Sequence, residues 1–238
     1  EQAAEEPRED SFEIEFEDVR LTLPNGVEIM RGVTGKISPG RSTAIMGASG
    51  AGKTTLMNLI TGKVQRTAGV VKVNGQTCDS LDQWKSRIAF VPQEDIMHRR
   101  LTVLQNVAFS ASLRLPADWT KAQRHAKVNK TLISLNLDHV RHTIIGDEFE
   151  RGVSGGQRKR VNVALEVVSD PKVLFLDEPT SGLDSVSATE LARMLAQMAR
   201  ESAMTICAVI HSPGPAAFQA FDDLILLQTG GRPVYLGA

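Results

Sequence analysis

The chain has 238 residues, 42% of them hydrophobic, 23% charged and 5% aromatic. That suffices for one large α/β domain or two small ones and excludes wholesale disorder. The net charge of −1 gives no long-range field for gathering nucleic acid, and Cys78 and Cys207, far apart with no C-x-x-C pair, argue against a zinc site or disulfide framework.

The opening "EQAAEEPRED" is acidic and has no apolar signal core, so residues 1–11 read as a solvated tail. An initial glutamate instead of methionine leads us to expect a piece of a longer protein. No run of 18 apolar residues occurs, so no bilayer-spanning helix is expected within the chain.

"SFEIEFEDVRLTL" alternates apolar and polar residues with the period of half-exposed antiparallel strands, and "PNG" turns it into "VEIM". "STAIM" is a short apolar strand feeding a glycine-rich loop, after which "TTLMNLI" continues as a helix. "GVVKVNG" and "RIAFVPQ" read as further strands. Helical segments then dominate: "TVLQNVAFSASL" with Thr102 as its cap, "KAQRHAKVNKTLISL", and a helix after Gly156. Strand character returns with "KVLFLDEP". Leu191, Met194, Leu195 and Met198 mark one face of a helix packed on a sheet, and "MTICAVIHS" and "DLILLQTGGRPVYLG" end the chain as strands. The expected architecture is α/β: a mostly parallel sheet over 12–98 and 166–238, an antiparallel N-terminal β layer, and a helical subdomain over 99–165.

"GASGAGKTT", residues 47–55, fits G-x-x-x-x-G-K-[ST] in full, between a strand and a helix. Gly47, Ala48, Ser49, Gly50, Ala51 and Gly52 let backbone N–H groups converge on phosphate oxygens at the positive helix end, with Thr55 continuing into the first turn. Lys53 reaches the β- and γ-phosphates of a nucleotide, and the Thr54 hydroxyl serves Mg²⁺. A chance glycine-rich turn is the competing reading, and the flanking strand and helix weigh against it. "VLFLDEP" ends an apolar strand in two carboxylates at the edge where open α/β sheets bind nucleotides. Asp177 there suits Mg²⁺, and Glu178 suits polarising the attacking water. "IAFVPQ" and "TICAVIH" bring Gln93 and His211 to the same edge, Gln93 for metal or water positioning and His211 for the γ-phosphate. Each residue alone reads as surface or structural; four strand ends converging is what shifts the odds.

The ordered set "GASGAGKTT", "VPQED", "VSGGQRKR", "VLFLDEP", "TSGLD" and "VIHSP" resembles the nucleotide-binding domain of an ABC transporter, as its Walker A, Q-loop, signature, Walker B, D-loop and switch histidine. The resemblance covers nearly all of residues 12–237, and it is similar in detail to the White-type G subfamily, plant members above all. It implies a P-loop NTPase core that binds ATP and Mg²⁺ and catalyses hydrolysis through Glu178, His211, Gln93 and Lys53, with Thr54, Gln93 and Asp177 at the metal. It implies head-to-tail pairing with a second nucleotide-binding domain, in which Ser154, Gly155, Gly156 and Gln157 cap ATP held by the other chain and Asp184 crosses between sites. A transmembrane domain of the same transporter would be the other partner, placing this domain on the cytosolic face of a membrane and making the whole an exporter of lipidic or hydrophobic compounds. "RKR" at 158–160 is then expected to be a solvated or interface face rather than a nucleic-acid patch. One departure stands out: the position that aligns with the family's adenine-stacking aromatic is Leu23, which leaves an aliphatic base contact.

Two rival readings share the motifs. A soluble ABC-type ATPase acting on nucleic acid or ribosomes usually carries a long coiled-coil insertion or two cassettes. Here Lys53 and Ser154 are 101 positions apart, without heptads. A nucleotide sensor without hydrolysis is the second rival, and Glu178, Gln93 and His211 argue against it.

Overall fold

The computed structural model describes residues 11–147 and 149–238, so the tail read over residues 1–11 lies, but for Ser11, outside the described residues. In chain order, strands β1 (Ile14–Thr22) and β2 (Glu28–Ile37) form a hairpin, and β3 (Ser42–Gly47) runs into helix α1 (Lys53–Thr61). A second hairpin, β4 (Ala68–Val73) and β5 (Gln76–Cys78), precedes β6 (Ile88–Val91). Helices α2 (Val103–Arg114), α3 (Lys121–Ser134) and α4 (Gly155–Val167) follow. Then come β7 (Val173–Asp177), α5 (Ser185–Ser202), β8 (Thr205–Val209), the short α6 (Pro215–Phe218), β9 (Asp223–Gln228) and β10 (Arg232–Gly237).

The strands form two sheets, one of order β2-β1-β4-β5 and antiparallel throughout. The other has order β10-β9-β3-β8-β7-β6 and is parallel except for the β9–β10 hairpin at one edge. The predicted mostly parallel core with an antiparallel N-terminal layer is the architecture found. Asn74 and Gly75, both with positive φ, make the tight turn between β4 and β5, as an Asn-Gly hairpin turn requires.

Alternation along the central strands separates two cores. Val173 and Phe175 of β7, with Cys207 and Val209 of β8, face the antiparallel sheet, whereas Leu174, Leu176, Ile206 and Ala208 face the helices. Both faces are covered, as a parallel sheet demands. Between the sheets lies α1, whose Leu56, Met57, Leu59 and Ile60 are all fully buried. Each such side chain stabilises the fold by about 1.5–3 kcal/mol on transfer from water. On the opposite face, Leu191, Leu195 and Met198 of α5 are buried and Met194 partly so, which is the stripe expected from their spacing.

α2, α3 and α4 form a helical layer of their own, buried around Val107, Leu132 and Val161. Each starts with a reciprocal capping box: Thr102 with Gln105, Thr120 with Gln123, and Ser154 with Gln157. Arg114 on α2 grips the buried Glu166 on α4 with both terminal guanidinium nitrogens, one at 2.6 Å. Parallel register then brings the ends of β3, β6, β7 and β8 to one edge, since Ile45 and Asp177 both pair with Val209 and Leu176 pairs with Val91.

Candidate active site

β3 ends at Gly47 and the chain turns through Ala48–Gly52 before α1 begins at Lys53. Gly50 and Gly52 take left-handed backbone conformations, with φ of 74° and 88°, which a side chain would strain. A Cβ at Gly47 would lie 2.3 Å from the Leu227 carbonyl oxygen, so β9 also leaves no space there. α2, α3, α4 and α5 all carry a side-chain cap, but α1 has none and its N-cap is Gly52. The first intrahelical bond runs from the Leu56 N–H to the Gly52 carbonyl. The N–H groups of Lys53, Thr54 and Thr55 are left at a positive helix end, the arrangement that suits a phosphate. Lys53 is only 7% exposed, and its Nζ donates to the carbonyls of Gly47 and Ala48 at 3.0 and 3.1 Å, arching over the loop.

Beside the loop, Thr54 Oγ1 donates to Asp177 Oδ1 at 2.9 Å. The adjacent carboxylate, Glu178 Oε2, accepts instead from Gln93 Nε2 at 3.0 Å. The neighbouring acids thus face different partners, one toward the helix start and the other toward the end of β6. Glu178 has φ of 47° and its N–H bonds the Val209 carbonyl at 3.0 Å, while Ser212, next to His211, has φ of 44°. Non-glycine residues in this region cost of order 1–3 kcal/mol and cluster where geometry is imposed by function. Ser49, Glu178 and His211 line one cavity of about 520 Å³, which residues 180–183 and 213–214 also line.

Ser154 sits elsewhere, at the start of α4. Its Oγ accepts from the Gln157 N–H at 3.2 Å and Gln157 Oε1 accepts from the Ser154 N–H at 2.8 Å, so the Ser154 hydroxyl hydrogen and the N–H groups of Gly155 and Gly156 have no capping role. Gly156 packs on α5: a Cβ there would lie 3.0 Å from Ser187 Oγ. Asp184 caps α5 by accepting from the N–H groups of Ser187 and Val186, each at 3.0 Å, and the Ser187 bonds hold its carboxyl below the usual carboxylate range. Lys53, Thr54, Asp177, Glu178, Gln93 and His211 are therefore gathered at one sheet edge. Ser154–Gln157 and Asp184 form a second group around the starts of α4 and α5.

The structure adds detail to two readings. Of the solvated or interface face expected for "RKR", two side chains are not solvated: Lys159 and Arg160 are 14% and 11% exposed, Lys159 lying on the segment after β6 and Arg160 beside Glu190 of α5. Long apolar stems allow such charges to lie down against neighbouring elements. Leu23 stands partly exposed at the tip of the first hairpin, where its N–H bonds Val27. The hairpin atoms that approach the phosphate loop at Gly52 belong to Met30 and Ile29, whose proximity only the register of β2 reveals.

Residues 30–181 match the family model described as ABC transporter, and the chain belongs to that family. Its fold is that of the family's ATP-binding, ATP-hydrolysing domain. It is 50% identical to the ABC transporter G family member 28 of Arabidopsis thaliana over 95% of this chain and 20% of that protein. The ABC transporter G family member 25 of Oryza sativa subsp. japonica is 44% identical over 97% of this chain and 23% of its own length. The chain thus spans about a fifth of the length of these relatives. Among solved structures, cbiO1 from Clostridium perfringens, described as part of the ABC transporter complex cbiONQ, superposes with a TM-score of 0.79 at 26% identity over 94% of this chain and 87% of that one.

Proposed function

We propose that this domain drives a White-type G-subfamily transporter, hydrolysing ATP with Mg²⁺ in a sandwich formed with a second nucleotide-binding domain. The observation that carries the reading is the division of labour between adjacent acids, Asp177 bonded to Thr54 and Glu178 to Gln93. The Thr54 hydroxyl, the Asp177 carboxylate and the Gln93 amide oxygen are hard oxygen donors, the kind Mg²⁺ takes from a protein while phosphates and water complete its shell. That ion would neutralise charge on the β- and γ-phosphates. Lys53 and the first N–H groups of α1 hold the phosphates, Gln93 orients Glu178, and Glu178 accepts a proton from the attacking water. His211, across the cavity, donates toward the γ-phosphate. Such catalysis is positioning and charge stabilisation, with little covalent chemistry by the protein.

Ser154, Gly155 and Gly156 lie at a different helix start from Lys53, which supports their acting on nucleotide bound by another copy. The partner in the membrane would dock on the helical layer, where Phe109 is exposed beside His98, Arg99 and Arg100, and where Ile96 and Leu113 are exposed as well. Among the described residues no helix is long and apolar enough to cross a membrane, so any span belongs to another part of the transporter. A Saccharomyces cerevisiae relative, 40% identical over 94% of this chain, is named a probable ATP-dependent permease, which favours transport over action on nucleic acid. Export of a lipidic or hydrophobic compound is carried over from the subfamily resemblance. Sedimentation of the domain with and without ATP and Mg²⁺, alongside phosphate release, tests the reading. A nucleotide-dependent shift from monomer to dimer with turnover is expected, and a tight dimer formed without nucleotide would overturn the sandwich.

A further inference from the structure

We infer that Lys159 is a positioning residue for hydrolysis: it locks the segment carrying Gln93 onto α4, the helix that also begins with the Ser154 turn. The inference rests on the reading of Gln93 and Glu178 given above.

After Val91 the chain leaves the sheet through Pro92, which has no N–H to donate. The next four residues are held from one side by α4. Lys159 Nζ donates to the Gln93 carbonyl at 2.7 Å and lies 3.1 Å from Asp95 Oδ1. That oxygen is buried and has no hydrogen-bond partner among the described residues, so the ammonium meets it as an ion pair alone. One turn on, the buried Asn162 donates from Nδ2 to the Glu94 carbonyl at 3.1 Å, and its Oδ1 accepts from the Ile96 N–H at 3.4 Å. Residues at i and i+3 share a helix face, so both side chains reach the same segment.

The Gln93 side chain is free of this grip and points the other way, donating to Glu178. Lys159 therefore fixes where the Gln93 backbone stands, and that backbone fixes the reach of the amide to the carboxylate. A mostly desolvated ammonium shared by a carbonyl and a carboxylate is a strong, directional tie. Because Ser154 caps the same helix, a shift of α4 when its first turn takes up an anion would move Gln93 with it. The tie thus couples the capping turn of one site to water positioning in the other.

The test measures ATPase kinetics and nucleotide affinity on the full-length protein carrying Lys159→Met, Lys159→Gln, Gln93→Ala, and Lys159→Met combined with Gln93→Ala. Lys159→Met keeps the stem and removes the ammonium; kcat should fall about tenfold, the scale of one lost charge-assisted hydrogen bond, while nucleotide affinity stays unchanged. Lys159→Gln keeps a donor for the Gln93 carbonyl and should restore most of the loss. In the Gln93→Ala background, Lys159→Met should cost nothing further. An equal fall in both backgrounds would make Lys159 merely structural and overturn the inference. Normal kcat in Lys159→Met beside a slow Gln93→Ala would overturn it and leave the site reading standing. Normal turnover in Gln93→Ala would remove the site reading, and this inference with it.

Discussion

Gln93 Nε2 donates to Glu178 Oε2 at 3.0 Å across 85 residues of sequence. The bond joins the end of an edge strand to the end of a central one, and it occupies one carboxylate oxygen of Glu178. The other oxygen is left for a water at the cavity shared with Ser49 and His211. Meanwhile the preceding Asp177 is engaged by Thr54, so the two acids can be separated by mutation.

Glu178→Gln should bind ATP as the parent does, hydrolyse it about 10²–10⁴-fold more slowly, and accumulate as an ATP-bound dimer. The amide keeps the size of the side chain but cannot accept a proton as a carboxylate does. Single-turnover phosphate release and sedimentation with ATP check this. Turnover close to that of the parent would remove Glu178 as the general base.

Lys53→Ala and Ser154→Arg should fail differently. Lys53 belongs to the loop of its own chain, so its loss weakens ATP binding to the monomer, read by calorimetric titration. Ser154→Arg places a bulky cation at the start of α4, should spare monomer affinity, and should abolish the ATP-driven dimer. Equal losses of monomer affinity in the two variants would refute the division into own-chain and partner-chain ligands.

Much of this is legible in the sequence. The phosphate loop has a fixed spacing set by its backbone turn, and Asp177, Gln93 and His211 each follow a short apolar run, so strand ends and their chemistry could be read together. What stayed hidden depends on tertiary neighbours. The left-handed backbone of Glu178 and Ser212 has no signature in residue type. The burial of Lys159 is hidden because a charge run carries no mark of which stems lie down, and Asn162 in its clasp is an ordinary helix residue. Strand β5, three residues long, is too short to show a period. The boxes at Thr120 with Gln123 and Ser154 with Gln157 match T/S-x-x-Q, a pattern too short to mark a helix start by itself.

Thr102→Ala tests whether these caps matter to stability. It removes the acceptor for the Gln105 N–H and leaves the Gln105 side chain without its reciprocal geometry. Loss of an N-cap typically costs about 1 kcal/mol. Urea unfolding should show a lower midpoint with an unchanged slope, while the rate of ATP hydrolysis stays that of the parent at temperatures where both are folded.

Cys207 offers a prediction in pH. Burial on the central strand β8 pushes its thiol up to about 12, because no solvent reaches the thiolate. Cys78 is raised as well, first by burial, with Arg66 opposing. In an unfolded chain a thiol ionises near about 8.5, so a folded value above this favours the native state fully below that pH. As pH rises, the unfolded chain releases its proton first, and stability is lost between the unfolded value and about 12. The slope from one thiol is about 1.4 kcal/mol per pH unit in that window. To isolate this thiol the comparison is with Cys207→Ala, whose stability should fall less steeply from pH 9 to 10.5 than that of the parent. The native thiol should also resist iodoacetamide at pH 8 and react only after denaturation. Parallel stability curves for parent and variant, or rapid native labelling of Cys207, would mean that the strand opens to solvent.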